Sequence, residues 1–596
     1  MKHIAKIYLL FFILNALIYS PFNIDPVLIP RFGLLAVFLI FISGLVLLTK
    51  RALPPFEINL IGILVLAFPA FYLINLDSAI YPGEAIYFFA KEMMLSLFFL
   101  ATTYFLKNNL LTKKDLNRCV FAFALLVSAV AICQLFVQVW QGEFSIDNML
   151  FLRSTAANKN LLSMLLFFGI CSGLLMYFED KKAIYLLASG LFFLLIVILQ
   201  TRSVWFACLV LIACLAPWKS LHGNKNLLFL KQKKWISGVL MAAISLSIIC
   251  VGYFSYPSIS SAHSLNIRFS LWQNTVKIIS DHFFSGVGGG NWQIHFPEYG
   301  LQNFEKIISD GYTTYQRPHN DFLWVFAETG VFGFLIFVSI FIVSLRPLFR
   351  LFTTEGYQSF AARTIAGCIL GYVVISFFDF PFERMEHREI MYVFFALSTT
   401  YQNEPGFISR KFNVRKNFLF IMMPFFLFCL LICFQKSKGE YHLKKLVEKK
   451  AQSKWEEVIR ESRDSKNYFF ELDPFSIPVT WYTGVAYFNL NDNKAAKENF
   501  EDAYKFHPFN IHVLNNLAGC YEKESNHEKA ILYYKEALRI SPSFEESQLN
   551  LSAAYFNAGE FENAYASIKK VSSACIHPNY LVFKNAIENK VKELHP

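Results

Sequence analysis

Charge is what this chain has least of: Asp, Glu, Lys and Arg make up 17% of its 596 residues, against 55% hydrophobic residues that include 66 Phe. That balance excludes an ordinary soluble protein of this length. Metal-binding patterns are missing too. No CxxC and no zinc-type Cys/His spacing occurs. Nine of the eleven Cys, from Cys119 to Cys433, lie in apolar runs where a thiol acts as a small hydrophobe. Cys520 and Cys575 lie outside those runs and are read as packing residues rather than as a disulfide. A phosphate loop is also absent, because the Gly run Gly286 to Gly290 has neither a preceding strand nor a Lys-Ser/Thr ending. The net charge of +11 does not indicate nucleic acid, since Lys and Arg fall mainly in short loops between apolar runs. No cofactor, metal or nucleic-acid partner is expected.

What is present is apolar sequence in lengths that suit a bilayer. A helix crosses the hydrocarbon core in about 20 residues, and about thirteen candidate spans centre near residues 12, 38, 66, 95, 128, 169, 191, 209, 245, 333, 370, 394 and 426. With a cytoplasmic N-terminus, every inside loop is basic, from Lys50 and Arg51 through Lys113 and Lys114, Lys181 and Lys182, Lys231 to Lys234, Arg346 and Arg350, to Arg410 and Lys411. The outside loops, among them 20–30, 76–84, 141–159, 255–318 and 379–388, hold few Lys. An odd number of spans then puts the C-terminal tail outside as well.

Past about Phe434 the chain turns polar, and the tail repeats. Tyr487, Tyr521 and Tyr555 are 34 residues apart, as are Ala496, Ala530 and Ala564, and Pro474, Pro508 and Pro542. That is the tetratricopeptide period. Gly484, Phe500 and Ala503 take the packing positions of one unit, Leu517, Ala518, Tyr534 and Ala537 those of the next, and Leu551, Ser552, Ile568 and Val571 those of a weaker third. The expected repeats run near 474–508, 509–542 and 543–577. Such a solenoid caps its neighbour or docks a partner protein, and carries no chemistry of its own.

Polar side chains in or beside spans are costly and mark functional candidates. RSTAANKN supplies Arg153 and Asn158, for which a solvated loop with a helix cap is the plain alternative. Arg202 stands at the outer edge between two short spans, where its guanidinium can fork onto two phosphate oxygens or simply snorkel. NIRFSLWQNTVKIISDHFFSGVGGGNWQIHF places Arg268 and Trp272 four residues apart on an amphipathic helix, followed by glycines that free the backbone for a turn or close approach to a ligand. In RPHNDFLWVFAETGVFG, Pro318 suits a helix start, with His319 and Asn320 in the first turn and Glu328 deeper, where it must find a partner. A histidine can take a proton from a sugar hydroxyl.

In order, the Asn158-x-Asn160 pair, the Thr201–Arg202–Ser203 step, the Arg268 to Asn291 stretch and the block from His319 to Gly333 resemble the O-antigen ligase and polymerase family over roughly residues 150–400. SFFDFPFE, Ser376 to Glu383, is similar to a segment of members with tetratricopeptide tails. The resemblance implies an all-α, polytopic helical membrane protein with a GT-C-like fold in the bacterial inner membrane, its C-terminal solenoid on the periplasmic side. It implies a membrane glycosyltransferase domain over 1–436, with a large periplasmic loop at 255–318, and a repeat domain over 437–596. It also implies transfer of a glycan from undecaprenyl diphosphate, without metal or nucleotide sugar, to lipid A–core, another glycan or a protein. By motif position His319 would be the base and Arg202 and Arg268 the diphosphate ligands, supported by Asn320, Glu328, Arg153, Asn158 and Trp272. A periplasmic protein bound by the repeats is a further expected partner. Readings of another class are a polysaccharide or lipid transporter, which the absence of internal repeats among the spans disfavours, and a non-catalytic assembly scaffold.

Overall fold

A computed structural model describes residues 3–48, 54–77, 79–142, 152–216, 259–401, 409–412, 417–572, 575 and 577–594. Among them the chain is all-α except for a ribbon in which Phe56–Asn59 pairs antiparallel with Ser409–Phe412. Among the described residues seven helices are long and apolar enough to cross a membrane: Leu28–Leu48, Pro82–Lys107, Lys113–Trp140, Lys159–Asp180, Asp321–Phe349, Tyr357–Phe378 and Leu419–Ala451. Ile4–Leu17, Leu60–Ile74, Ala183–Ile198 and Arg202–Leu215 are apolar but shorter.

These helices account for all the expected spans but two. The one near residue 394 falls on Met385–Thr399, which has 15 residues and begins with Glu386, Arg388 and Glu389. The one near 245 lies outside the described residues. The span expected near 66 is broken by a tight turn at Phe68–Ala70, where Pro69 interrupts the helix. Large apolar side chains such as Phe41, Phe136, Leu187, Phe206, Ile342 and Ile421 are left exposed, as a lipid-facing surface requires. The inward faces form one continuous apolar core. Two ion pairs are buried within it: Arg31 meets Glu386 at 2.6 Å, and Arg388 meets Glu92 at 2.5 Å.

The loops sort into two groups. Those expected outside join one another: Arg384 pairs with Asp25 at 2.5 Å, and the Tyr81 amide donates to Asn291 Oδ1 at 2.8 Å. Those expected inside meet at the opposite end, where Lys114 pairs with Asp180 and Arg363 donates to the carbonyls of Phe352 and Ala216.

The apolar-to-polar change near Phe434 falls inside a single helix, Asn417–Ala451. Beyond Trp455–Ser465 come the pairs Val479–Asn489 with Asn493–Phe506, Ile511–Lys523 with His527–Ile540, and Glu545–Asn557 with Phe561–Ile568, then Tyr580–Leu594. Asp492, Asn510 and Asn526 cap helix starts by accepting from backbone amides two or three residues on. The repeat-register residues Ala496, Phe500, Ala503, Ala518, Ala530, Ala537 and Ala564 are buried. Cys520 and Cys575 are free thiols.

Candidate active site at the loop face

Three helices bring the site together. Arg268 lies on Ile259–Asp281, Arg202 is the first residue of Arg202–Leu215, and His319 precedes Asp321–Phe349. Arg268 is an electrostatic neighbour of Arg202 and of Asp379, and His319 is a neighbour of Arg268 and Arg317. Lys159 adds a further cation beside Arg202. Burial works against the Arg268 charge, Arg202 adds repulsion, and Asp379 offsets part of both. The Asp379 carboxyl is itself pushed up by burial and held back by Arg268 and by a hydrogen bond with the Asn160 side chain. Arg202, Arg268 and Lys159, cations that gather beside the buried Asp379 carboxylate, are prepared for an anion, whereas Arg317 is already paired with Glu383.

His319 does not occupy a helical turn as its position after Pro318 suggests. The helix starts at Asp321, and Asn320 is its N-cap, accepting from Phe322 N at 3.0 Å and Leu323 N at 3.1 Å. His319 itself has φ 53, a left-handed conformation uncommon for a residue with a side chain. Its ring packs edge-on against Phe380, with centroids 4.9 Å apart, and its buried Nδ1 has no hydrogen-bond partner among the described residues. Burial pushes the imidazole pKa down to about 3, with Arg268 and Arg317 adding to the shift. At neutral pH the ring is therefore uncharged and can accept a proton.

Trp272, one turn beyond Arg268, ties the two halves of the site together: its indole Nε1 donates to the Pro318 carbonyl at 3.1 Å. Asn320 stands next to His319, but its side-chain oxygen is engaged in capping. Glu328 finds its partners away from the cations. Its Oε1 accepts from Gly290 N at 2.9 Å and from Trp324 Nε1 at 2.7 Å. The glycines accordingly approach a helix rather than a ligand. Val287 N donates to Ala327 O at 2.9 Å and Val331 N to Phe283 O at 2.9 Å, across a break in the helix at Gly330, where φ is 66. A Cβ on Gly286 would come within 2.4 Å of the Glu328 backbone.

Asn158 is the N-cap of Lys159–Asp180, accepting from Leu161 N at 3.0 Å. Arg153 is exposed in the preceding loop, and no contact among the described residues joins it to Arg268 or His319. Asp379, Arg317 and Phe380 join the site without having been singled out from sequence, whereas Lys159 belongs to the RSTAANKN group. For Asp379 a signal existed: an acid inside the apolar SFFDFPFE segment needs a partner. Among the described residues no three His, Cys, Asp or Glu side chains group as a metal site.

The family model described as O-antigen ligase matches residues 187–338, a stretch that holds Arg202, Arg268, Trp272, His319, Asn320 and Glu328, but neither Arg153 nor Asn158. A tetratricopeptide repeat model matches residues 512–544. Residues 187–338 are thus similar to O-antigen ligases, and the C-terminal solenoid is similar to tetratricopeptide repeats. The ligase match supports membership of the O-antigen ligase and polymerase family, and with the apolar helices it makes the chain a multi-pass membrane protein. No curated protein matches the chain. A solved structure titled "Crystal structure of APC/C hetero-tetramer Cut9-Hcn1" aligns at 11% identity over 92% of this chain and 98% of that one, with a TM-score of 0.24, too low to carry an argument about the ligase-like segment.

Proposed function

We propose that this chain is an O-antigen-ligase-like glycosyltransferase that moves a glycan from undecaprenyl diphosphate to an acceptor, lipid A–core in the first instance, on the periplasmic face of the bacterial inner membrane. The observation that carries the reading is the sequence of electrostatic neighbours Arg202, Arg268 and His319, drawn from three separate helices to one face. An acceptor hydroxyl gives its proton to the neutral His319 ring as its oxygen bonds to the anomeric carbon. The bond from that carbon to the phosphate oxygen breaks, and the diphosphate leaves as an anion held by Arg202 and Arg268. Two guanidinium forks supply the charge that this leaving group needs, so the proposed reaction is metal-independent. Trp272 positions the peptide before the base. The periplasmic placement rests on the basic loops gathering at the opposite end of the bundle.

A protein acceptor, or another repeat unit as in polymerases of the family, is the second reading. One observation favours the protein: the repeat tail packs directly beside the segment that leads to His319, so a bound protein would lie near the base. The domain boundary near 436/437 belongs to this proposal as well. The test is transfer from a polyprenyl-diphosphate oligosaccharide by the purified full-length chain in lipid nanodiscs, offered lipid A–core, free glycan or envelope protein, with products read by mass spectrometry. Glycan loss from donor to one acceptor class is expected, abolished in His319→Ala. Unchanged transfer by His319→Ala and Arg268→Ala would return the transporter reading.

A further inference from the structure

Stacked tetratricopeptide pairs align along one edge the turns that lead from the second helix of each unit to the first helix of the next. That edge is occupied by the chain's own loop. Ser476 Oγ donates to Gln293 Oε1 at 2.5 Å, and the Phe509 ring lies 5.8 Å from the His295 ring. At the next turn the Leu301 amide donates to the Ile540 carbonyl at 2.8 Å, Arg539 Nη1 donates to the Glu298 carbonyl at 3.0 Å, and the buried Ser541 Oγ donates to the Ser309 carbonyl at 2.5 Å. Gly311 follows, at φ 73, so close to Ile511 that a Cβ would come within 2.8 Å of it.

Several of these contacts reach the loop through its backbone. Between Phe296 and Asn320 the loop has only single-turn helical pieces, so many of its amides and carbonyls need partners from elsewhere. The repeat edge supplies them along the segment 293–312. A few residues further on, Tyr315 meets the His319 ring with centroids 6.3 Å apart.

We propose that the repeat domain is a positioning module for the transfer site: its inter-repeat edge holds segment 293–312 in cis and thereby sets the left-handed His319 that follows it. Arg539 and Ser541 are positioning residues. The inference rests on the reading of His319 as the base. Arg202 and Arg268 stand on helices with their own packing, so loss of docking acts on the chemical step and spares donor binding.

The test uses the full-length chain in nanodiscs and two variants that attack the contact from opposite sides. R539E/S541D puts carboxylates against the loop carbonyls, and Gly311→Ala acts from the loop while leaving the repeat sequence intact. In both, hydrogen exchange over residues 298–312 is expected to rise at least ten-fold while the repeat helices stay protected. kcat is expected to fall at least ten-fold, donor KM to change less than two-fold, and the acid limb of kcat/KM to move to higher pH as His319 becomes less buried. Unchanged exchange in both variants overturns the docking, and raised exchange with wild-type kcat overturns the positioning. His319→Ala in the otherwise intact chain tests the base separately: wild-type turnover there removes the base, while the exchange result still reports on docking.

Discussion

The indole of Trp272 is hydrogen-bonded to the carbonyl of Pro318 at 3.1 Å, so the helix that carries Arg268 also holds the peptide that carries His319. Cation and base are set by one helix, although 51 residues separate them in sequence.

Trp272→Phe keeps the ring contact with Phe378 and removes only the donor. A hydrogen bond of this kind is worth about 1 kcal/mol, and the carbonyl left behind can turn to water. The expected result is a kcat reduced roughly five- to ten-fold, with donor KM and thermal unfolding near wild type. Steady-state kinetics of the purified variant check it.

The His319 ring, with its pKa pushed down to about 3 by burial and then by Arg268 and Arg317, sets the acid side of the pH profile. The neutral ring is the active form, so activity falls as pH falls through that pKa. kcat/KM reports the free protein and should hold nearly flat down to about pH 4. A bound diphosphate cancels part of the Arg268 field and favours the imidazolium, so the limb in kcat should lie at higher pH. Arg268→Gln should raise the kcat/KM limb too, on a lower rate. A limb in that variant at the wild-type position would show that Arg268 does not act on the ring.

Glu328 is predicted to be a structural staple. Gln in its place keeps an acceptor for Gly290 N and Trp324 Nε1, whereas Ala leaves both buried donors unsatisfied at about 1–3 kcal/mol each. Glu328→Gln should therefore retain most activity and stability, and Glu328→Ala should unfold several degrees lower. Thermal unfolding of both variants in the same detergent distinguishes this from a catalytic carboxylate, for which Gln would be as damaging as Ala.

The long apolar runs and the 34-residue register of the tail were legible because each is a periodic pattern that one short window can reveal. His319 was legible as a candidate and not as a conformation: Pro318 drew the helix start forward, although Asn320 followed by Asp321 is itself a capping signal. Glu328 announced a need for a partner, and of the two it has, Trp324 is one helical turn away while Gly290 lies 38 residues away in sequence. The run from Gly286 to Gly290 reads equally as a turn or as a close approach to a ligand, because sequence does not say which backbone comes close. The tail's contact with Leu301 and Ser309 carried no local signal at all, since it joins segments more than 200 residues apart and on the loop side uses backbone groups that every residue possesses.

His507 is buried in the turn that faces the loop, with its pKa pushed down to about 3 by burial and by His295, and His512 is pushed down to about 4 chiefly by burial. Unfolded histidine titrates near 6.5. Between the folded and unfolded values the unfolded chain binds more protons at these two histidines, so the stability they contribute is complete above about pH 6.5 and is lost as pH falls below it; Glu471 and Asp473, whose carboxyls burial pushes up to about 7 and about 6, act in the opposite sense. Comparing thermal unfolding of the full-length chain at pH 7.5 and pH 5.5 isolates the histidine share: the stability of His507→Gln at pH 5.5 relative to pH 7.5 should be higher than that of the wild type.

Asp379 is the one acid set against Arg268 in the cationic group, and Asp379→Asn tests what it does there. Neutralising it leaves the hydrogen bond with Asn160 possible while making the site more positive by one charge. A donor with a diphosphate should then bind more tightly, giving a KM several-fold lower at low salt, with a steeper loss of affinity as ionic strength rises. Tighter binding acts on the leaving diphosphate as well, so its release slows and kcat falls, while kcat/KM, which does not include product release, holds or rises. Pre-steady-state kinetics should reveal this as a burst of transferred glycan followed by a slow steady rate. A variant that bound donor more weakly would instead mark Asp379 as the side chain that holds Arg268 in place.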